Sequence, residues 1–217
     1  MLKTLTIVGS GEHASSKNLS GVYVCEKKRI GSCGSGLNLH VLNNNLELLQ
    51  SQAFDTANSE SDVTAMLEKI KTVESSNIIC IHSAGAWEDK VTPALVQQLH
   101  DCGCKLINEI CQLRLNDTEA KMNGFGQPFA FIGKSGIGFG YGEQNVVLIN
   151  TDDSFGYRFA TVSRMYDLTT KNKNLQDTGK IIDGAISENE NACVRLLDMI
   201  VKPPQQPGSE GDSEEDA

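Results

Sequence analysis

Short apolar runs with strand character fill the first half of the chain. The runs TLTIV (residues 4–8) and GVYVC (residues 21–25) are rich in β-branched residues and predict strands. The runs GLNLHVL (residues 36–42) and LELLQSQAF (residues 46–54) flank three asparagines, which tolerate the left-handed backbone of a tight connection, so they predict a β-hairpin. The run NIICIH (residues 77–82) is continuously apolar, which is typical of a central strand buried on both faces.

Two segments between these runs have apolar residues at helical spacing. The first, with Ser59 or Ser61 as N-cap, has an apolar face formed by Val63, Met66, Leu67, Ile70 and Val73. The second is TPALVQQLHDCG (residues 92–103), in which Thr92 is the predicted N-cap, Pro93 lies in the first turn and Gly103 ends the helix.

The second half predicts fewer and shorter elements. PFAFIG (residues 128–133) and NVVLIN (residues 145–150) predict strands around a glycine-rich turn, and YRFATV (residues 157–162) is a further candidate strand. A last helix is predicted to begin at Ser187, which forms a capping box with Glu190, and to end before Pro203. The elements together predict an α/β fold, in which helices flank a mixed β-sheet sandwich in a single domain with a C-terminal extension.

The net charge of the chain argues against some classes of binding partner. The net charge of −9 argues against binding nucleic acid or anionic membranes through a basic surface. No apolar run approaches the roughly 20 residues needed to cross a bilayer, so we expect no membrane span. The start of the chain lacks a sustained apolar segment and therefore predicts no signal peptide, so we expect either a cytosolic protein or a mature or partial piece of a longer one.

Two glycine motifs suggest nucleotide binding, but the residues around each motif do not meet the requirements of such a site. Gly9, Gly11 and Ala14 fit the dinucleotide spacing, yet the following HASSKNLSG is too polar for the helix that this site requires. The GKS at residues 133–135 would need a glycine at position 128 to form a P-loop, and that residue is Pro128. We therefore expect no nucleotide cofactor.

Candidate catalytic and metal-binding residues are few. His82, Ser83 and Asp55 suggest a hydrolase, but no nucleophile elbow surrounds Ser83, and His82 is expected to end a buried strand. A cluster at the end of the second helix, formed by His100, Cys102, Cys104 and Cys111, is a candidate metal site, although we favour reduced or disulfide-linked surface cysteines there. We expect no metal, no cofactor and no enzymatic activity.

Three blocks carry a resemblance to a known family. The chain contains GSGLNLHVLNNNLELLQSQAFDT (residues 34–56), NIICIHSAGAWEDKVTPALVQQLHDCGC (residues 77–104) and PFAFIGKSGI (residues 128–137). In this order and spacing they resemble the ILEI/PANDER domain, over roughly residues 3–145. The resemblance implies one ILEI/PANDER-like domain over residues 1–145, a packed extension of strands and a helix over 146–202, and a disordered acidic tail over 203–217.

The resemblance also implies a set of site residues. Gly36 matches the first defining glycine of the family, and Gly133 or Gly136 matches the second. The ligand-binding face is expected at the loop that contains Trp87, at Asp55 and at the loops of residues 123–142. The Trp87 indole either stacks on a sugar or partner or closes the sheet edge. The residues expected at this face are Asp55, Trp87, Glu88, Asp89, Phe125 and Gln127. The Arg and both Trp of the family's sugar-binding segment are absent from NGFGQPFAF (residues 123–131), which argues against that mode of carbohydrate binding.

The resemblance implies a non-catalytic module that binds a glycan or a protein ligand. The alternatives are an intracellular scaffold with an acidic tail and, less favoured, a sugar- or nucleotide-active enzyme. Secreted family members are cytokine-like and carry disulfides, so a Cys25–Cys33 or Cys33–Cys193 bridge and an extracellular location are implied as well. The compartment and a homo-oligomeric state both stay open.

Overall fold

The computed structural model of the chain describes residues 2–12, 19–25, 28–105, 107, 126–146 and 159–168. Its elements, in chain order, are β1 (Leu2–Ser10), β2 (Gly21–Val24), β3 (Lys28–Ile30), β4 (Gly36–Leu42), β5 (Leu48–Phe54), α1 (Glu60–Lys71), β6 (Ile78–Ala84), α2 (Pro93–Asp101), β7 (Phe129–Gly133), β8 (Glu143–Val146) and β9 (Phe159–Asp167). The mixed sheet with its two helices confirms the predicted α/β, single-domain fold.

Hydrogen bonds join the nine strands into one sheet, which changes direction between β1 and β6. The main order is β3-β2-β1-β6-β4-β5; β7 and β8 continue from β6, and β9 lies beside β1. Strand β1 pairs antiparallel with β2 and β9, but it meets β6 through a single parallel pair, Ser10 with Ala84. The sheet therefore folds over at this junction, and its two halves lie face to face.

Alternating side chains of the central strands fill two separate cores. Leu39, Ile81 and Phe131 point to the helical side, where they meet the buried faces of α1 and α2. Cys80 and Ile132 point to the opposite side, where residues of β1, β2 and β9 cover them. Because both faces of β4 and β6 are covered, every residue of these two strands is buried.

Both helices begin as the sequence predicts. Ser59, and not Ser61, is the N-cap of α1, and its hydroxyl accepts a hydrogen bond from the Asp62 N–H (3.1 Å). Thr92 caps α2 in the same way through the Leu95 N–H (3.3 Å), and Pro93 occupies the first turn. Helix α1 ends at Lys71, so the buried Val73 lies just beyond the predicted helical face.

The β4–β5 hairpin forms as predicted, but its turn has a different backbone. Leu46, and not one of the asparagines, adopts the left-handed conformation, with φ of 62°. The Asn43 side chain instead accepts hydrogen bonds from the N–H groups of Asn45 (2.8 Å) and Glu47 (3.0 Å). Leu46 turns its side chain into the second core, which accounts for this conformation.

The remaining strands differ from the prediction in extent. Strand β3 was not predicted, and β8 begins two residues before NVVLIN, of which residues 147–150 lie outside the described residues. The candidate YRFATV strand is β9, which starts at Phe159 and pairs with β1 along its whole length. The predicted helix from Ser187 and the acidic tail lie outside the described residues.

The first glycine motif lies in a strand and its end. Strand β1 continues through Gly9 to Ser10, and β2 returns antiparallel to it. A dinucleotide fingerprint works in a parallel β-α-β unit, which β1 and β2 do not form. Within the described residues, no helix has the length and apolar character that spanning a membrane requires.

Candidate functional site

The loop after β6, residues 85–91, is here called the Trp87 loop, and it is closed by hydrogen bonds to two other segments. The Trp87 indole N–H donates to the Gln127 carbonyl oxygen (2.7 Å), and the Thr56 hydroxyl donates to the Trp87 carbonyl oxygen (2.7 Å). The Lys90 N–H donates to the Thr56 carbonyl oxygen (3.0 Å). The loop therefore joins the end of β5 to the segment that begins β7.

Trp87 is a core residue and not an exposed binding residue. Its side chain is 0% exposed, and its ring lies 5.4 Å from that of Phe129, centroid to centroid, in the helical-side core. The expectation that this indole stacks on a ligand is therefore wrong for this structure. The ring packs in the core beyond the end of β6, a strand that is paired with β1, β4 and β7, and so it does not close an edge of the sheet. The indole N–H has a carbonyl partner, as a buried tryptophan requires.

Glu88 and Gln127 lie beside Trp87 and share this packing role. The Glu88 carboxylate is 5% exposed and accepts hydrogen bonds from the N–H groups of Gln127 (2.6 Å) and Trp87 (3.1 Å). A carboxylate that holds two backbone N–H groups at a loop closure orders the loop, so Glu88 is not presented to a ligand here.

Asp55 and Asp89 lie near this loop but have different surroundings. The Asp55 carboxylate accepts hydrogen bonds from the backbone and side-chain N–H groups of Asn58 (3.3 and 3.0 Å), which orders the turn before α1. Asp89 is exposed on the Trp87 loop. Phe125 lies outside the described residues.

The three predicted structural glycines occupy three different environments. Gly36 has φ of +92°, and a Cβ there would overlap the Phe54 carbonyl oxygen. At Gly133, which ends β7, a Cβ would overlap the Cys102 carbonyl oxygen. Gly136 has φ of +74° and faces open space. The first two positions exclude a side chain by close approach, and the third favours glycine only through its backbone conformation.

A second surface lies at the opposite end of β7. This strand runs from Phe129, beside Trp87, to Gly133, after which residues 134–142 form the glycine-rich turn. Phe139 and Tyr141 project from this turn and are 57% and 64% exposed, whereas Ile137 is partly buried against the second core. In this turn, glycines alternate with the large residues Ile137, Phe139 and Tyr141. Gly136, Gly138 and Gly140 all have positive φ, a conformation that favours glycine.

The C-terminal end of α2 holds the glycine-rich turn in place. Three N–H groups of the turn, those of Lys134, Gly138 and Gly142, donate to the carbonyl oxygens of Cys102, Asp101 and Gly103 at 3.1, 3.3 and 2.9 Å. Asp101 ends α2 and Cys102 is its C-cap, so their carbonyl groups are among those that a helix end leaves without a partner in the helix, and Gly103 follows directly. The His100 ring also meets the Phe139 ring edge-on, with 4.9 Å between the centroids. The turn is therefore anchored, although two of its side chains are exposed.

The candidate catalytic residues do not form one open site. The His82 side chain is buried and its Nε2 lies 3.1 Å from Nε2 of His40, on the face of the sheet that β1 and β2 cover. The Ser83 hydroxyl donates to the Ser10 carbonyl oxygen and accepts from the Phe129 N–H, both at 2.9 Å, so it links three strands. Asp55 is engaged at the start of α1, and the Lys134 side chain of the GKS sequence is only 3% exposed.

The cysteines are free thiols in the part of the chain that the structure describes. Cys25 is exposed, Cys33 is half-buried, and Cys80, Cys102 and Cys104 are buried, so the expected Cys25–Cys33 bridge does not form in this structure. Cys102 and Cys104 belong to the helical-side core. The prediction from the sequence that they are surface residues is therefore wrong. Burial raises the pKa of the Cys102 thiol to about 11. Cys111 and Cys193 lie outside the described residues, and no group of three or more metal-binding side chains occurs within the described part of the chain.

Two features of this structure were not predicted from the sequence. The exposure of Phe139 and Tyr141 was not predicted, although their loop was expected at the ligand face and GFGYG places aromatic residues at alternate positions. The His40–His82 pair had no local signal because the two residues are 42 positions apart and meet only through the register of β4 and β6.

The comparison with protein families identifies a matching segment. Residues 35–137, which include β4, β6, β7 and both helices, match the family model described as interleukin-like EMT inducer, ILEI. No curated protein matches the chain.

Proposed function

We propose, because residues 35–137 belong to the ILEI family, that this chain is a non-catalytic binding module for a carbohydrate or protein ligand. The single observation that carries the proposal is the pair of exposed aromatic side chains, Phe139 and Tyr141, on the anchored glycine-rich turn. We place the ligand contact there and not at the Trp87 loop.

An anchored turn is a suitable support for a binding surface. Its hydrogen bonds to the end of α2 fix the backbone before a ligand arrives, so less conformational entropy is lost on binding. Tyrosine combines a flat apolar ring with a polar hydroxyl and has few rotatable bonds, which makes it a frequent contributor to recognition surfaces. Gly140, which lies between the two aromatic residues, faces open space and leaves the backbone there open to close approach.

The positions of the titratable groups favour binding over catalysis. His82, Ser83 and Glu88 are all buried, and each already contacts a protein group. A general acid or base must reach a substrate proton within hydrogen-bonding distance. These side chains instead hold strands and loops together, which supports a role without chemistry.

The proposal is tested with two defined probes. The purified chain is applied to an array of immobilised glycans and to a phage-displayed peptide library, and the affinity of each hit is then measured. The double variant Phe139→Ala/Tyr141→Ala is expected to bind at least about tenfold more weakly, because truncating aromatic residues at the centre of a binding surface costs about 2 kcal/mol or more.

The matched control is Leu49→Ala, which truncates another side chain that is 50% exposed but lies on β5. This variant is expected to bind as the unchanged chain does. Full affinity in the double variant, or no ligand from either probe set, would contradict the proposal.

A further inference from the structure

Two histidines form a buried pair between the halves of the folded sheet. His40 of β4 and His82 of β6 are both 0% exposed, and their Nε2 atoms are 3.1 Å apart. The ring planes differ by 17° and the centroids are 5.1 Å apart, so the rings meet edge to edge and not face to face. This is the geometry of one N–H···N hydrogen bond between two neutral imidazoles.

The surrounding contacts assign the protons. Nδ1 of His82 lies 3.3 Å from the Ser83 carbonyl oxygen, to which it can only donate. Nε2 of His82 is then the acceptor, and Nε2 of His40 the donor, because a neutral imidazole carries a single N–H. Nδ1 of His40 is left as a buried lone pair, and no hydrogen-bond partner contacts it among the described residues.

A thin segment of the chain covers this lone pair. Residues 31–35 follow the three-residue edge strand β3, and a methyl group at Gly31 would come within 2.5 Å of both His40 Nδ1 and Ser51 Oγ. The Ser32 N–H and hydroxyl hold the segment to Ser51 Oγ at 2.7 and 2.9 Å. Gly34 exchanges two further hydrogen bonds of 2.8 Å with the Asn38 side chain, and β3 is paired with β2. Hydrogen bonds at Ser32 and Gly34 therefore hold the segment that covers the lone pair.

We propose that the His40–His82 pair is an acid-sensitive latch, in which proton uptake at His40 Nδ1 releases residues 28–35 from the face of the sheet. The incoming proton would place an N–H and a positive charge directly beneath Gly31, where the closed segment offers no acceptor. Release of the segment exposes the imidazolium to water, which hydrates it. The step is a proton uptake from solvent and needs no other reactant.

The groups around His40 oppose the charged form. Arg29 of β3 and His82 of β6 interact with His40 directly, and Cys80 of β6 is its register partner. Arg29 also interacts with Tyr23 of β2 and with Cys33 of residues 31–35, and Cys80 interacts with Tyr166 of β9. Burial, followed by the positive charge of Arg29, lowers the pKa of His40 to about 4, and no carboxylate of the described residues acts against this shift. Since a released imidazole has an ordinary pKa near 6.5, acid favours the released form.

Cys33 lies within the releasable segment and reports its opening. It is half-buried, whereas Cys25 is exposed and serves as an internal reference for the reagent. The full chain is treated with dithiodipyridine at about pH 7.5 and pH 5, and modification of each thiol is counted by mass spectrometry. The ratio of Cys33 to Cys25 modification is expected to rise roughly tenfold at the lower pH.

His40→Gln separates the latch from general acid damage. A glutamine retains an N–H for His82 but cannot take up the proton, so the ratio is expected to stay constant, whereas His100→Gln, a histidine outside the pair, keeps the rise. A constant ratio in the unchanged chain, or an equal rise in His40→Gln, overturns the proposal. Should His40→Gln fail to fold, hydrogen exchange of the unchanged chain decides: faster opening at pH 5 confined to residues 28–35 supports the latch, and uniform opening across β4 and β6 overturns it.

Discussion

Gly36 combines two constraints at the residue where β4 begins. Its φ of +92° is readily available only to glycine, and a Cβ there would overlap the Phe54 carbonyl oxygen and lie 2.9 Å from the Thr56 N–H nitrogen. These neighbours are backbone atoms of the β5 end, which Thr56 ties to Trp87. A side chain at this position would therefore have to displace the segment that closes the Trp87 loop.

We predict that Gly36→Ala lowers the free energy of unfolding by more than about 2 kcal/mol, because backbone strain and steric overlap act together. The measurement is urea unfolding followed by fluorescence of Trp87, the only tryptophan, whose buried ring becomes solvent-exposed on unfolding. Gly136→Ala is the matched control. It has φ of +74° but open space around it, so it should cost only about 1 kcal/mol. Equal losses in the two variants would show that overlap at Gly36 contributes nothing.

At the scale of elements, α2 connects a local sequence signal to the proposed binding surface. Its first turn is fixed by Thr92 and Pro93, and its last carbonyl groups hold the glycine-rich turn that carries Phe139 and Tyr141. The same nine-residue helix also contributes Leu95 and Leu99 to the helical-side core. Its stability therefore affects the packing of the domain and the position of the exposed aromatic pair.

Thr92→Ala is expected to lower the free energy of unfolding by about 1 kcal/mol, because the Leu95 N–H loses its side-chain acceptor. Thr92→Ser retains a hydroxyl at the same place and should remain within a few tenths of a kcal/mol of the unchanged chain. Urea unfolding again provides the measurement. A full loss in Thr92→Ser would mean that the threonine methyl group, and not the cap, stabilises this position.

The elements that could be predicted from the sequence are those whose signal is local. The caps of α1 and α2 and the alternation in β4 lie within a few neighbouring residues, whereas β3 has only three residues and no period to detect. Trp87 was placed correctly in a loop, but its burial depends on Thr56 and Gln127, which are 31 and 40 positions away. The exposure of Tyr141 similarly depends on where α2 ends, so the candidate surface became visible only with the tertiary structure.

At the scale of the whole molecule, the fold buries several ionisable groups, and burial disfavours the charged form of each, whether cation or anion. Burial lowers the pKa of His40 to about 4 and that of His82 to about 3, and it raises the pKa values of Cys80, Cys102 and Tyr166. Four of these five side chains lie in the core between the folded sheet halves or border it. In the latch proposed above, His40 becomes accessible to protons when residues 28–35 are released, and the other three become accessible only when the halves separate.

The direction of each pKa shift determines whether the group stabilises the fold towards acid or towards alkaline pH. A histidine with a lowered folded pKa contributes stability above its unfolded value near 6.5, and this contribution is lost as the pH falls towards 4. A thiol or phenol with a raised folded pKa contributes stability below its unfolded value, 9.0 for cysteine and 10.0 for tyrosine, and this contribution is lost as the pH rises above it. The chain should therefore be most stable between about pH 7 and pH 9.

We predict that the free energy of unfolding falls by up to about 4 kcal/mol between pH 7 and pH 5, since pH 5 lies about 1.5 units below the unfolded histidine pKa and each of these units costs up to about 1.4 kcal/mol for each of the two buried imidazoles. Urea unfolding followed by Trp87 fluorescence across this range measures the slope, and repeating it with His82→Gln should remove part of the loss, because one buried proton acceptor is gone. Native carboxylates that bind N–H groups, such as Glu88, add to the slope only at lower pH, where carboxylates begin to take up protons. A flat profile between pH 7 and pH 5 would mean that the imidazole pair is accessible to protons in the folded chain, and the sheet halves would then have to be less tightly joined than their common core implies.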